Sequence, residues 1–342
     1  MKQQHYFLTV GISQGDTVRD IRALAEAGAD EFYCGIVPED WQRVYGFQIS
    51  PNRREFKINQ YLFFNSLQEA VGEAHALGKK VFVTFNASYY VDRMYPFLLR
   101  YIDRLEAMRV DGLIVSDLGL ILALKKRGTE IPLVLSGEAG VYNSESLGFF
   151  LSLGVKRIIF PRHLTVGEIE ALVAGCPSKD TEFEVFIHSQ RCPYNSDVCT
   201  TSHGWEEVRF CFTDYEKRLC RKNPDGGSAD GSGADSFFEA ETDEGELSAW
   251  RRNREDYDLF TRINSYAGHD ACGICAAGRF IAAGVRHFKI VSRGTGLDDR
   301  LLLLRGIKAN IGGLLSDPAE NPRRGIPREF CELKYGCYYR EF

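Results

Sequence analysis

The sequence lacks several motifs that would assign it at once to a class of protein. It has no H-E-x-x-H motif, which many zinc proteases carry, and no G-x-G-x-x-G after its first strand-like run, which a dinucleotide-binding fold would need. No run of the chain approaches the roughly 20 apolar residues that a membrane-spanning helix requires. These absences point to a globular protein whose chemistry is carried by other residues.

The sequence also lacks an excess of positive charge and a targeting segment. A net charge of −5 gives no overall attraction to nucleic acid or to anionic membranes, although a local basic site can exist within an acidic average. The first residues, MKQQHYFLTVGIS, have neither the apolar region of a signal peptide nor a small-residue cleavage site. We therefore expect a cytoplasmic protein with no membrane span, in which cysteines stay reduced.

What the chain does contain is one repeated unit, a β-rich apolar run followed by an amphipathic helical segment. The runs are too continuously apolar to alternate clearly, as is typical of parallel strands that helices cover. There are eight: 6–13, 31–36, 81–87, 112–117, 132–137, 157–162, 183–189 and 287–293. This count favours an α/β fold of the (β/α)8 TIM-barrel type over a doubly wound sheet.

The repeat of strand and helix is interrupted once, between the seventh and eighth apolar runs. We predict that residues 1–190 and 269–315 form the barrel and that 191–268 form a Cys-rich insertion, with a flexible acidic Gly/Ser tract at 223–246. Residues 316–342 are predicted to be a C-terminal tail, and 38–57 a long polar loop.

Six of the ten cysteines crowd into two short windows. They are Cys192, Cys199, Cys211, Cys220, Cys272 and Cys275. Such density in polar segments is unlike core packing, and four converging thiolates suit an iron–sulfur cluster or a tetrahedral zinc ion. We favour iron–sulfur, because structural zinc sites more often pair two short C-x₂₋₄-C knuckles, and zinc is the alternative. The isolated Cys34 and Cys176 are predicted to be small buried apolar residues.

Candidate site residues follow from the rule that chemistry in such barrels lies at the C-terminal ends of the strands. This position selects Arg162, His188 and Asp117 as catalytic candidates, and Asn86, Glu138 and Arg293 as substrate-binding candidates. A guanidinium pairs well with a carboxylate or phosphate, although either arginine can equally form a structural ion pair. The basic runs at 52–57 and 251–254 are candidate contacts for an RNA backbone, although most charge runs are simply solvated.

Several segments, in order, resemble the collagenase-like U32 peptidase family. In EVFIHSQRCPYNSDVC at 184–199, a strand ends in His and a small residue and leads into Cys, six residues and Cys. The other matching segments are GLIVSDLG at 112–119, LSGEAGVYN at 135–143, IIFPRHLTVGEI at 158–169 and CGICAAGRFIAAGVRHFKIVSRG at 272–294. The resemblance spans roughly residues 8–295.

The resemblance implies a barrel that binds a four-iron, four-sulfur cluster through four cysteines. Carried onto this chain, Cys192 and Cys199 are the first two ligands and Cys272 is the last. The third is Cys211 or Cys220, of which Cys220, followed by Arg, is the better match.

The resemblance also implies substrate contacts in the segment that ends at Asn143, which makes Asn143 a further substrate-binding candidate. This segment departs from the family pattern, because the family's Gln is replaced by Gly137 or Glu138, and the Glu that follows the strand-six Arg is His163 here. These departures affect the identity of the substrate that donates oxygen.

The activity that the resemblance implies is oxygen-independent hydroxylation. Members of the family act on a quinone-precursor ring or on pyrimidines in tRNA and ribosomal RNA, with prephenate as the implied oxygen donor for some. We therefore expect an iron–sulfur enzyme that modifies an aromatic or RNA-base substrate. Its expected partners are a small aromatic or carboxylate molecule, RNA, and a protein of the same family. Two alternatives stay open: a peptidase, as the family name implies, or a non-catalytic barrel that binds zinc or a partner protein.

Overall fold

Eight parallel strands close into a barrel. The computed structural model describes residues 6–46, 49–53, 59–189, 271–316 and 337–339. The barrel strands are β1 (Phe7–Gly11), β2 (Glu31–Gly35), β3 (Lys80–Phe85), β4 (Gly112–Val115), β5 (Leu133–Leu135), β6 (Arg157–Ile159), β7 (Glu182–Ser189) and β9 (His287–Ile290). Strand β9 pairs in parallel with both β7 and β1, and β6 pairs with β7, so the sheet closes on itself. The predicted TIM-type barrel is confirmed.

Helices cover the outside of this barrel. They are α1 (Val18–Ala27), α2 (Glu39–Tyr45), α3 (Phe64–Ala76), α4 (Tyr95–Met108), α5 (Leu118–Arg127), α6 (Ser144–Ser152), α7 (Val166–Ala174), α8 (Ala277–Ala283) and α9 (Leu297–Ser316). Several begin where a side chain satisfies a free backbone N–H. Thr165 and Glu168 form a capping box at the start of α7. None of the described helices is both long and apolar enough to cross a membrane.

Two elements differ from the sequence prediction. The predicted loop at 38–57 contains α2, because Trp41 and Tyr45, one helical turn apart, share a buried face. The segment at 269–284, predicted as one covering helix, instead contains β8 (Ala271–Cys272), which runs antiparallel to β7 and precedes α8. The predicted insertion at 191–268 and most of the predicted tail at 316–342 lie outside the described residues, so those boundaries stay predictions.

The base of the barrel interior is filled by charged side chains, which we call the basal cluster: Glu31, Arg157, Glu182, Glu184, His287 and Lys289. Arg157 donates two hydrogen bonds to Glu31, at 2.8 and 2.9 Å, and further bonds to Glu184 at 3.2 Å and Glu182 at 2.7 Å. One guanidinium on β6 therefore ties together strands β2, β6 and β7.

The remaining members complete the basal cluster from β9. Lys289 Nζ donates to Glu184 Oε1 at 2.8 Å, and His287 Nδ1 lies 3.2 Å from Glu31 Oε2. Burial alone would raise the pKa of Glu31, but hydrogen bonds from His287 and Arg157, with the charge of Arg157, hold it well below its usual range. The pKa of Glu184 is also lowered, since Lys289 and Arg157 outweigh its burial. Both carboxylates are therefore ionised inside the barrel.

Replacement of Arg157 by Met should destabilise the fold strongly. The variant leaves buried carboxylates without their main partner, and removal of one member of a buried ion pair costs about 3–5 kcal/mol. The free energy of unfolding in urea measures the effect. Arg22→Met is the matched control, because Arg22 is 59% exposed in its pair with Glu73 and such pairs contribute no more than about 1 kcal/mol. Equal losses in the two variants would contradict the role of the basal cluster.

Acid should weaken the fold partly through Glu31. A carboxyl group whose folded pKa is depressed stabilises the protein above its unfolded pKa, and that stability is lost as pH falls from about 5 toward the folded pKa. Glu31→Gln should therefore reduce the slope of the unfolding free energy against pH between about pH 3 and 5. The reduction should correspond to about one fewer proton taken up on unfolding. Glu39→Gln, at a 74% exposed side chain, should leave the slope unchanged. An unaltered slope in the Glu31 variant would show that its ionisation does not stabilise the fold.

Candidate functional site

Polar side chains line the C-terminal ends of the strands, which with the loops that follow them we call the mouth. The chain between β2 and α3 turns back over it: Ile36 pairs with Tyr61, and the Tyr61 N–H donates to the Gly35 carbonyl at 2.8 Å. This return places Asn52 and Gln60, both almost fully buried, above the end of β2.

Asn52 and Gln60 form a reciprocal amide pair beside Arg293. Each donates to the other, at 2.9 and 3.1 Å, and Arg293 Nη1 lies 3.4 Å from both Asn52 Oδ1 and Thr84 Oγ1. A Cβ at Gly35 would lie 2.3 Å from Gln60 Oε1 and 2.8 Å from Arg293 Nη1. Only glycine at the end of β2 allows this network to lie so close to the strand.

Tyr33 lies beneath this network with cations over its ring. Lys289 Nζ is 3.9 Å from the ring centroid, and the Arg293 guanidinium carbon is 5.3 Å from it. The Tyr33 side chain is buried, and its hydroxyl has no hydrogen-bond partner within the described part of the chain. A buried hydroxyl and a half-buried guanidinium therefore face the same polar region, where both can donate to an anionic or carbonyl group.

A second group of mouth residues joins the ends of β3 and β5. Arg53 Nε lies 3.1 Å from Glu138 Oε2, and the Arg53 backbone N–H donates to Asn86 Oδ1 at 3.2 Å. Asn86 Nδ2 in turn donates to Ser136 Oγ at 3.1 Å. The structure thus brings together two of the substrate-binding candidates, Asn86 and Glu138.

Two other candidates hold helix ends. Asp117 Oδ1 accepts hydrogen bonds from the Leu120 backbone at 2.7 Å and from Tyr95 Oη at 2.9 Å, so it caps α5. Burial, and then the bond to Asp117, raises the pKa of Tyr95. Asn143 is exposed and caps α6 through the Ser146 N–H at 2.9 Å. The structure gives both side chains a capping role, and their catalytic and substrate-binding roles stay predictions.

Arg162 and His188 lie on the β6–β7 side of the mouth. The Arg162 guanidinium carbon is 4.4 Å from the centroid of the Phe186 ring, a cation–π contact. His188 is half-buried and pairs in register with Cys272 of β8. The backbone pairing of β7 and β9 shifts register between Phe186 and His188, as a bulge near a site would do.

Of the five predicted metal ligands, only Cys272 falls among the described residues. Cys192, Cys199, Cys211 and Cys220 lie outside them. Cys272 is half-buried beside the end of β7, from which the chain continues toward Cys192. In the sequence Cys192 follows the last residue of β7 by three positions, and β7 pairs with the strand that carries Cys272. Within the described ranges no three His, Cys, Asp or Glu side chains form a metal site.

The thiols around β8 nevertheless fit a centre that takes soft ligands. The backbone of Cys272 pairs with that of the half-buried Cys337. Cys275, three residues after Cys272, is exposed. Thiolates are the ligands that iron–sulfur clusters and structural zinc prefer. Cys34, by contrast, is fully buried as predicted, and burial raises its pKa to about 12. Cys176 is half-buried and donates to the Ser178 carbonyl at 3.3 Å.

The strand-end rule missed the residues that the 36–63 segment contributes. Asn52, Gln60 and Arg53 reach the mouth from a loop, and Tyr33 and Thr84 lie below the strand ends. The length of that segment, longer than a βα connection needs, is the signal that could have found them. The predicted RNA contact at 52–57 is wrong for Asn52, which is buried in the mouth. Residues 54–58 and 251–254 lie outside the described residues.

Comparison with known proteins finds relatives that act on RNA. The chain is 32% identical over 191 residues to tRNA hydroxylation protein P of Escherichia coli (strain K12). The matched region covers 56% of this chain and 38% of that protein. The protein of the same name in Helicobacter pylori (strain 26695) is 27% identical over 63% of this chain and 49% of its own length. The 23S rRNA 5-hydroxycytidine C2501 synthase of Escherichia coli is 33% identical over 41% of this chain and 21% of its own length.

The chain thus spans less than half the length of these curated relatives. Among solved structures, the U32 peptidase Mk0906 is 18% identical, with a TM-score of 0.39 over 55% of this chain and 71% of that chain. The sequence model described as peptidase family U32 matches residues 16–305, which is most of the chain. The resemblance inferred from the motifs is therefore confirmed, and the chain belongs to peptidase family U32.

Proposed function

We propose that this chain is an iron–sulfur enzyme that hydroxylates a base in RNA without molecular oxygen. The observation that carries the proposal is the similarity to proteins named for tRNA hydroxylation and for 5-hydroxycytidine synthesis in 23S rRNA. The peptidase hypothesis has only the family's name in its favour. A barrel with a polar mouth suits either a base or a small co-substrate, since both need convergent hydrogen-bonding groups in a concave site.

The mouth supports an anionic co-substrate. Arg293 is half-buried beside Asn52 and Thr84, so its charge is partly removed from water. A guanidinium in such a position attracts a carboxylate more strongly than one on the surface does. The unpartnered Tyr33 hydroxyl, within the described part of the chain, adds a donor close to it. We propose that this pair binds the carboxylate of a small oxygen-donating molecule.

RNA recognition in this proposal depends on the mouth rather than on a general basic surface. The chain carries a net charge of −5, which gives no overall attraction to a polyanion. A base turned out of its helix is instead held by hydrogen bonds and by stacking on side chains within a pocket. The Arg162–Phe186 pair, at the ends of β6 and β7, and the Asn86–Ser136 pair, at the ends of β3 and β5, provide such groups.

The metal centre in this proposal is held by Cys192, Cys199 and Cys272, with Cys211 or Cys220 as a further ligand. An iron–sulfur cluster bound there would supply one-electron redox chemistry. The half-buried position of Cys272 at the mouth fits a ligand close to the substrate. A structural zinc ion is the alternative occupant of the same thiolates.

Protein purified without oxygen should be coloured and should contain iron and acid-labile sulfide. Cys192→Ala and Cys272→Ala should each abolish the visible absorption, because each removes a thiolate ligand. Cys176→Ala is the matched control and should retain full absorption, since its thiol is bonded to the Ser178 carbonyl away from the mouth. A colourless protein loaded with zinc would overturn the iron–sulfur proposal. Full iron content in the Cys192 variant would show that this ligand is misassigned.

The reaction should be visible as a hydroxylated nucleoside. We expect mass spectrometry of tRNA and ribosomal RNA to find such a nucleoside in cells that carry the active gene, and none in cells that carry Cys272→Ala. Arg293→Ala should lower its yield roughly 30-fold or more at unchanged iron content, because a charged hydrogen bond to substrate contributes about 2–3 kcal/mol.

Arg279→Ala is the control for Arg293→Ala, since Arg279 is 47% exposed in its pair with Glu170 on the outer helices. It should leave the yield unchanged. An unmodified RNA pool with the wild-type gene, together with hydrolysis of gelatin that thiol alkylation abolishes, would support the peptidase instead.

A further inference from the structure

The C-terminal residues Cys337–Tyr339 lie against β8, far in sequence from the cysteine windows. Cys337 forms an isolated parallel bridge with Cys272, and the Tyr338 N–H donates to the Cys272 carbonyl at 2.8 Å. Residue 337 also lies beyond the part of the chain that the family model matches, 16–305. Two cysteines from separate segments are therefore backbone neighbours, and nothing in the family match gives Cys337 a role.

Contacts made by the two residues that follow Cys337 fix its position. Tyr338 is 2% exposed and stacks on Phe186, with ring centroids 6.1 Å apart. Tyr339 Oη donates to the Phe186 carbonyl at 2.9 Å, and its ring packs edge-on against Phe280. A Cβ at Gly273 would come within 3.0 Å of Tyr339, so the two segments approach closely. The backbone at Cys337 is therefore held in place beside β8.

The two cysteine side chains face the same way. Paired residues of neighbouring strands lie on one side of the sheet, with the strands about 4.8 Å apart. Ala271 and Tyr338, each adjacent to one of the cysteines, both pack with Phe186 in the inward-facing cluster. Because Cys272 and Cys337 are bridge partners, their side chains lie on the same side of the paired backbones. Two thiols at this spacing can ligate one soft metal ion or one cluster.

We propose that Cys337 is a metal-binding thiolate that shares its ion or cluster with Cys272. The proposal rests on the proposed function in so far as that centre is the iron–sulfur cluster, in which Cys337 would take the fourth ligand position in place of Cys211 or Cys220. On binding, the Cys337 thiol loses its proton to solvent and its sulfur bonds to the metal. Cys337 is half-buried, so its sulfur is held near the centre while the site can still be loaded from solvent.

Metal content of the full chain, prepared without oxygen, tests the proposal. Iron, acid-labile sulfide, zinc and the visible spectrum are compared in wild type, Cys337→Ala, Cys272→Ala and Cys176→Ala. We expect Cys337→Ala to lose metal to a chelator at least about tenfold more readily than wild type, because a lost thiolate weakens metal binding, and Cys272→Ala to lack the visible absorption. The Cys176 variant should match wild type, and far-UV circular dichroism checks that each variant is folded.

Alkylation of wild type gives a second measurement that needs no variant. Iodoacetamide labelling, read by mass spectrometry, is compared before and after iron is removed with a chelator. Cys337 should be protected in the loaded protein and labelled after removal, whereas Cys176, which is also half-buried, should be labelled equally in both. Equal labelling of Cys337 in the two states would overturn the proposal.

The outcomes separate this proposal from the proposed function. Wild-type metal retention and spectrum in Cys337→Ala, with loss in Cys272→Ala, would overturn the role of Cys337 and leave the iron–sulfur enzyme standing. Zinc in place of iron, lost in Cys337→Ala, would overturn the iron–sulfur enzyme and support the shared thiolate site. A wild-type protein with no bound metal would overturn both.

Discussion

The ion-pair network at the base of the barrel is the interaction on which the rest of the structure depends. Arg157 alone contacts carboxylates on two other strands, and Lys289 and His287 add a fourth strand. The four strands are therefore linked to one another at their N-terminal ends. Removing so many charges from water is tolerable only because each buried group has a partner of opposite sign. With the base fixed in this way, the opposite end of the barrel can present polar groups that do not all contribute to stability.

The barrel itself was predictable from the sequence, since eight continuous apolar runs and their helices repeat with a regular period. Elements with no such period were not. Helix α2 has only seven residues, too few for an amphipathic pattern to stand out, and β8 has two, whose pairing depends on a strand from elsewhere in the chain. The capping box at Thr165 was predictable because all its information lies within four neighbouring residues.

The candidate site was predictable only in part, for a similar reason. The strand-end rule found Asn86, Glu138 and Arg293, whose position follows directly from the strand that precedes each of them. It did not find Asn52 and Gln60, because their place depends on how a long segment returns over the mouth. The rule also did not predict that Asp117 caps a helix, since a side chain at a strand end can either contact substrate or cap the helix that follows.

The pairing of the first strand with the last has a consequence for how the protein is made. Phe7 of β1 pairs with His287 of β9, so the ring of strands cannot close until the chain has been synthesised through β9. At ordinary rates of synthesis the first strand waits for its partner on the order of tens of seconds. The cysteines from 192 to 275 all emerge during this interval. In the proposed iron–sulfur enzyme, metal delivered to these cysteines before β9 is synthesised would meet an open sheet.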